Sequence, residues 1–480
     1  MLFNSLQFAI FLPVVFVIYY YLPHKFRWIM LLVASCIFYM AFIPYYILIL
    51  AVTISVDYFA AIKIEGEKEK EKKKLYLIIS IISTCLVLFV FKYYDFFISN
   101  FNQIGSLIHW NYSIDALKII LPIGLSFHTF QGLSYVIEVY RGKQKAEKSF
   151  GIYSLYVMFF PQLVAGPIER PQNLLHQFYQ EHKFDYEKIT SGLKKIAWGL
   201  FKKVVIADRI ALLVNPVFDN PAKYQDHGAI FVIASFLFAF QIFCDFSGYS
   251  DIAIGSARIL GFKLMKNFDR PYFSKSISEF WKRWHISLSS WFRDYLYIPL
   301  GGSRVKKNRY VFNVMVVFLL SGFWHGANWT FVAWGFLHGF YLIFSKISDK
   351  FRSFLTSSLG IDNFPKMHTV IQIIITFILV DIGWVFFRAS NIKDALYILK
   401  TSVTKFNVYD IFNFATFDLF AAVFFILLME LVHFMQRKSN IIQILSQKPL
   451  YFRWATYTLF SLIILYFGIF AKQKFIYFQF

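Results

Sequence analysis

A succession of long apolar runs is the feature that most limits what this chain can fold into. The first run, Leu6–Leu22, holds 17 residues without a charge and lacks the basic start and small-residue cleavage site of a signal peptide. Because about 20 apolar residues span a bilayer, we predict an all-α polytopic membrane protein with roughly 10–12 transmembrane and re-entrant helices. The runs are Leu6–Leu22, Trp28–Phe42, Tyr45–Ile62, Leu75–Phe91, Ile119–Val139, Tyr153–Val164, Ala229–Phe243, Tyr310–Phe323, Trp329–Phe344, Val370–Phe387, Leu419–Phe434 and Tyr457–Phe470.

The composition excludes the common soluble classes. Hydrophobic residues make up 58% of the 480 residues and charged residues only 16%, whereas soluble domains average about 25% charged residues. The net charge of +21 lies mostly in short loops between apolar runs, where basic residues set orientation and contact anionic lipid. We therefore expect lipid and not nucleic acid as the partner of this charge. The three cysteines lack the spacing of metal ligands and are read as small buried hydrophobes.

Basic loops predict the orientation of the first spans. The lysine-rich segment Lys63–Lys74 is read as cytoplasmic, which places His24–Arg27 inside and the N-terminus outside. The same alternation places Phe101–Lys118 outside and Arg141–Lys148 inside. We find neither a linker nor an internal repeat, and therefore predict a single integral-membrane domain over residues 1–480 with its core motifs within 121–345.

Polar residues inside apolar runs are candidates for function because they are costly at membrane depth. The single carboxyl groups that we interpret as helix-pairing groups are Asp57, Glu138, Asp381 and Glu430. Asp245 and Asp251 stand six residues apart beside an apolar run. Two interpretations stay open for this pair: the carboxylates cap and pair at the end of a helix, or they shape a polar pocket.

Two further segments carry histidines. Between Trp281 and Phe292 the aromatic residues repeat at helical spacing, so we predict an amphipathic interfacial helix with His285 on its apolar face. A histidine there is either a core residue or a functional group. His325 lies between two apolar runs with glycines on both sides, and a neutral imidazole takes up a proton near pH 7, so it is the best candidate for a general base. Nucleotide-binding, zinc-protease and serine-hydrolase motifs are absent from the sequence.

Five stretches resemble the membrane-bound O-acyltransferase (MBOAT) family, in its bacterial branch for O-acetylation of alginate and related polymers. They are Leu121–Gly142, Phe159–Pro171, Cys244–Gly255, Glu279–Arg304 and Gly322–Gly339. The resemblance implies a ring of helices around a thinned centre that a channel enters from each side. It also implies that His325 is catalytic, that His285 is the second catalytic histidine on the donor side, and that the chain lies in the bacterial cytoplasmic (inner) membrane.

The resemblance further implies the substrates and partners. An acyl thioester, on coenzyme A or a carrier protein, would donate the acyl group, with no bound cofactor or metal. A polysaccharide hydroxyl would accept it with the help of an extracytoplasmic partner of serine-esterase-like fold. We expect Arg283 and Arg293 near the anionic carrier. Asn328 or His285 would donate a hydrogen bond to the oxyanion of the tetrahedral intermediate. Asp245 would line the pocket.

Alternatives within the family are peptidoglycan O-acetylation and D-alanylation of teichoic acid, and the alternative from another class is a polysaccharide transporter or flippase. The C-terminus, residues 475–480, also allows two interpretations. It is either an aromatic anchor at the interface, or, by resemblance to bacterial acyl-transfer systems, an acyl relay through Tyr477.

Overall fold

The computed structural model describes residues 1–110, 113–117, 119–436, 441–470 and 475–476, apart from the side chains of residues 413 and 441–443. All regular structure in these ranges is helical, which confirms the all-α prediction. Tyr477 lies outside the described residues, so the relay interpretation stays a prediction.

The chain divides into two compact units. Unit 1 comprises Met1–Ile196 and Ser250–Met265, and unit 2 comprises Ala197–Tyr249 and Lys266–Phe480. The prediction of a single integral domain remains a prediction.

The α-helices that begin in unit 1 are Leu6–Tyr21, His24–Met40, Tyr46–Gly66, Lys70–Leu88, Tyr94–Leu107, Leu125–Tyr140, Phe150–Met158, Pro171–Leu174 and Tyr186–Leu200. Those that begin in unit 2 are Asp208–Asp219, Gly228–Ile259, Ile277–Arg283, Ile286–Phe292, Lys307–His325, Trp329–Ile347, Asp349–Ser358, Pro365–Arg388, Ile392–Thr404, Tyr409–Phe414, Phe417–Met435, Ile441–Ser446 and Leu450–Phe467. Three π-helical segments lie at Phe89–Tyr93, Phe201–Ala207 and Arg293–Tyr297.

Each predicted apolar run overlaps a helix. Within the described residues, seven helical stretches are long and apolar enough to cross a bilayer, and Leu6–Tyr21 is a shorter apolar helix. The chain is therefore a multi-pass membrane protein. The seven stretches are Tyr46–Gly66, Lys70–Leu107, Gly228–Ile259, Trp329–Ile347, Pro365–Arg388, Phe417–Met435 and Leu450–Phe467.

Of the four carboxyl groups predicted to pair helices, Asp57 and Asp381 bond to a neighbouring membrane-spanning helix. In unit 1, Asp57 accepts hydrogen bonds from the Ser80 hydroxyl at 2.6 Å and the Thr84 hydroxyl at 3.1 Å on the following helix. In unit 2, Asp381 accepts a hydrogen bond from the Ser235 hydroxyl at 3.0 Å. Such bonds satisfy polar groups that cannot form hydrogen bonds with water in the hydrocarbon core of a bilayer.

Candidate active site

His325 is the last residue of the helix Lys307–His325, which pairs with the helix Trp329–Ile347 in unit 2. Glycine makes this pairing close. A Cβ atom on Gly322 would overlap the carbonyl oxygen of Phe331 on the partner helix. The local sequence thus ends one helix at the histidine and starts the next four residues later, which leaves the imidazole buried at the turn, 5% exposed.

Aromatic rings enclose His325. The ring centroids of Trp324, Trp334 and Phe387 lie 4.9, 5.0 and 5.2 Å from the imidazole centroid, all in edge-on geometry. These rings exclude water and lower the local dielectric constant, so that charge developing near the imidazole is weakly screened.

His285 lies at a break between two helices, which corrects the prediction of one continuous amphipathic helix. The helix Ile277–Arg283 ends before it, and the helix Ile286–Phe292 begins after it. The φ angle of His285 is +41°, in the left-handed region that a side chain with a Cβ atom rarely adopts. Such backbone strain often marks a functional position.

Asn267 holds His285 in this conformation. Its Oδ1 atom lies 3.1 Å from Nδ1 of His285 and accepts hydrogen bonds from the Ser287 hydroxyl and amide at 2.9 and 3.2 Å. Since an amide oxygen only accepts, Nδ1 of His285 carries the ring proton and Nε2 carries the lone pair. Burial lowers the pKa of His285 to about 3, so the ring is neutral at physiological pH.

The two histidines flank the same ring. The Trp324 centroid lies 4.9 Å from His325 and 6.4 Å from His285. On its other side His285 packs edge-on against Phe246, with centroids 4.6 Å apart. The structure therefore brings together in unit 2 the two histidines that the sequence analysis selected separately.

The two predicted donor-side arginines each pair with an acidic neighbour. Arg283 contacts Glu279 at 2.6 Å and is partly buried. Arg293 contacts Asp294 at 2.7 Å and leaves 62% of its side chain exposed. Both arginines flank the helix that follows His285, and Arg293 is the more accessible to an anionic carrier.

Asn328 has a local structural role. Its side-chain oxygen caps the helix Trp329–Ile347 by accepting from the Thr330 amide at 3.0 Å, and its amide nitrogen donates to the Ser390 carbonyl at 3.0 Å. These contacts favour helix capping over the predicted donation to an oxyanion.

Asp245 and Asp251 both lie inside the long helix Gly228–Ile259 and not at its end. In unit 2, Asp245 contacts the Lys203 ammonium at 2.7 Å. In unit 1, Asp251 contacts Lys195 at 2.7 Å. Both carboxylates are therefore paired with lysines, and neither caps the helix.

Sequence reasoning missed the partners of these groups. Lys203, which pairs with Asp245, is buried in an apolar stretch, and a lysine in such a stretch is a signal that an acidic partner faces it. Asn267 had no sequence signal, because its role depends on a contact with a residue 18 positions later in the chain.

The helical fold and its apolar spans define the class, which is a multi-pass membrane protein with two buried imidazoles in unit 2. Comparison with known proteins gives the family. The profile described as MBOAT, membrane-bound O-acyltransferase family, matches residues 147–387. The chain belongs to this family and is an O-acyltransferase, which excludes the transporter alternative.

Three relatives illustrate the range of the family. A probable alginate O-acetylase (AlgI) of Pseudomonas aeruginosa is 37% identical over 400 residues, covering 82% of this chain and 73% of the relative. A peptidoglycan O-acetyltransferase of Helicobacter pylori is 37% identical over 439 residues, covering 84% and 80%. A teichoic acid D-alanyltransferase of Bacillus subtilis is 29% identical over 286 residues, covering 56% and 69%.

Proposed function

We propose that this O-acyltransferase moves an acetyl group from a cytoplasmic thioester to hydroxyls of an extracytoplasmic polysaccharide such as alginate, in the bacterial inner membrane and with a partner protein. The observation that carries the proposal is the pair of buried histidines that both pack against Trp324. The acetyl group is favoured over D-alanine because the acetylating relatives align over more of the chain and at higher identity.

In the proposed reaction, His325 removes the proton of the accepting hydroxyl, and that oxygen attacks the thioester carbonyl carbon. The tetrahedral intermediate collapses with cleavage of the carbon–sulfur bond. The proton on His325 then passes to the departing thiolate, so that a hydroxyl and a thioester become an ester and a thiol. General base catalysis of this kind contributes roughly a hundredfold to ten-thousandfold in rate.

His285 has a different part in the proposal. Because Nδ1 of His285 donates to Asn267, Nε2 can act as an acceptor in this tautomer. We assign it a hydrogen bond from an N–H or O–H group of the acyl donor, which holds the thioester in place. This neutral tautomer cannot donate from Nε2, so we do not assign the oxyanion to His285.

O-acetylation of peptidoglycan is the second candidate function. It is favoured by the Helicobacter pylori relative, whose alignment covers 80% of that protein at the same identity as the alginate relative. The chain would then need a partner that works on glycan strands of the cell wall.

Inverted membrane vesicles supplied with labelled acetyl-CoA test the proposal. Vesicles with the native chain should form alkali-labile labelled ester, and vesicles with His325→Ala at equal membrane level should not. Release of the label by an alginate lyase would identify alginate as the acceptor, and release by a muramidase would identify peptidoglycan. Equal ester formation by both chains would refute the role of His325.

A further inference from the structure

Two described residues near the C-terminus, Phe475 and Ile476, are held inside unit 2. Phe475 and Ile476 are only 1% and 2% exposed. The Ile476 amide donates a hydrogen bond to Oδ2 of Asp245 at 2.8 Å. The Phe475 ring packs on Tyr249 and Phe246, with centroids 4.8 and 6.1 Å apart. An aromatic anchor at a membrane surface would leave such residues exposed, so these two residues do not serve as one.

Phe467 and Ile469, which precede this segment, also bond to unit 2. As the helix Leu450–Phe467 ends, Arg209 donates to the Phe467 carbonyl at 2.6 Å. The Ile469 amide then donates to the Val204 carbonyl at 2.9 Å. Val204 belongs to the π-helical segment Phe201–Ala207, and π-helical turns recur at functional sites. Main-chain and side-chain bonds therefore hold the terminal segment at several separate points.

A buried charge cluster prepares Asp245 for this contact. Lys203 lies 2.7 Å from Oδ1 of Asp245 and 2.9 Å from Oδ1 of Asp208, and all three side chains are at most 6% exposed. Burial, together with the charge of Asp245, raises the pKa of Asp208 to about 7 in spite of the nearby lysine. Lys203 thus balances the charge of Asp245 at Oδ1, while Oδ2 accepts the hydrogen bond from the Ile476 amide.

We propose that Asp245 is a positioning residue that, with Lys203 as its counter-ion, fixes Phe475 and Ile476 one aromatic ring away from His285, and that acyl transfer depends on this docked segment. Phe246 forms the link, since its ring packs against both Phe475 and His285. The pocket-lining role expected for Asp245 from the sequence stays a prediction. The positioning rests on contacts alone, and its consequence for transfer rests on the proposed function.

Hydrogen exchange of the full-length protein in lipid nanodiscs tests the docking directly. In Asp245→Ala the peptide that contains Ile476 should exchange roughly tenfold faster or more, because a hydrogen bond to a charged group is lost. Asp251→Ala is the matched control, since it removes another lysine-paired carboxylate from the same helix and should leave this peptide as protected as in the native chain. Unchanged exchange in Asp245→Ala would overturn the docking.

Phe475→Ala tests the same contact from the tail, in case loss of Asp245 disturbs folding around Lys203. It should also speed exchange of the terminal peptide while helices elsewhere keep their protection, and full protection in this variant would contradict the inference.

Acetyl transfer in inverted vesicles then tests the consequence. Both docking variants should lose most ester formation on polysaccharide. A variant with an undocked tail and native transfer would overturn the positioning role. Absence of transfer by the native chain, with its tail protected, would instead count against the proposed function and leave the docking intact.

Discussion

The hydrogen bond between Asn267 and His285 leads to a quantitative prediction for Asn267→Asp. The aspartate keeps the acceptor atom but adds a negative charge next to the ring. A unit charge about 4 Å away stabilises the imidazolium by about 4 kcal/mol at an effective dielectric constant of about 20. That free energy corresponds to about three pKa units, so the pKa of His285 should rise from about 3 to about 6.

The sign of this shift determines the pH dependence. Above the new pKa the ring is neutral and Nε2 accepts, as in the native chain. As the pH falls through about 6, the ring of the variant takes up a proton and Nε2 becomes a donor. Acetyl transfer by Asn267→Asp should therefore fall at pH 5 to about a tenth of its value at pH 8. The native chain should show no such loss from His285.

Vesicle assays across this pH range measure the effect, with each chain at equal membrane level. Ser287→Ala is the matched control, because it removes a neutral donor to the same Asn267 oxygen, 2.9 Å away, and adds no charge. The pH dependence of acetyl transfer by Ser287→Ala should match that of the native chain. If Asn267→Asp and the native chain gave the same ratio of rates at pH 8 and pH 5, the tautomer and the role assigned to His285 would be wrong.

Four further predictions follow from single positions. His325→Ala should abolish acetylation of the polysaccharide at near-normal membrane level, and full acetylation measured on isolated polymer would contradict its role as base. Tyr477→Phe should lose acetylation if the terminal tyrosine relays the acyl group. Retained activity in this variant, together with no acetyl-tyrosine adduct in the native chain by mass spectrometry, would refute the relay. Gly322→Ala should destabilise the helix pair by roughly 1–3 kcal/mol through overpacking, seen as a lower melting temperature in detergent. In intact cells Glu67→Cys should be shielded from impermeant thiol reagents while Asn102→Cys is labelled, and the reverse pattern would invert the predicted topology.

The apolar runs predicted the helices well, because a helix in a bilayer must satisfy its own backbone and hydrophobicity marks its position. They predicted helix ends poorly. The run Ala229–Phe243 stops at the first carboxylate, whereas the helix continues from Gly228 to Ile259. The reason is that Asp245 and Asp251 are each neutralised by a lysine from another segment, and a pattern of single residues does not contain those partners.

The break at His285 could not be predicted from periodicity for a related reason. The residues from Trp281 to Phe292 fit one helical face, and local sequence favours continuation. The Asn267 side chain competes with the helix by accepting bonds from His285 and Ser287, and the Asn267 carbonyl accepts from the Ile286 amide at 2.9 Å. Tertiary hydrogen bonds thus override local propensity at His285, and candidate functional sites are where local and global preferences often conflict.

One helix separates two environments that the proposed chemistry needs. Asp245 and Phe246 are consecutive, so their side chains leave the long helix in directions about 100° apart. Asp245 faces the lysine that balances its charge and the amide of the chain end. Phe246 faces the neutral ring of His285. A carboxylate in direct contact with that ring would favour the imidazolium, as in Asn267→Asp. Because the phenyl ring lies between them, the Asp245–Lys203 pair can hold Ile476 without placing a carboxylate against His285, which has to stay uncharged.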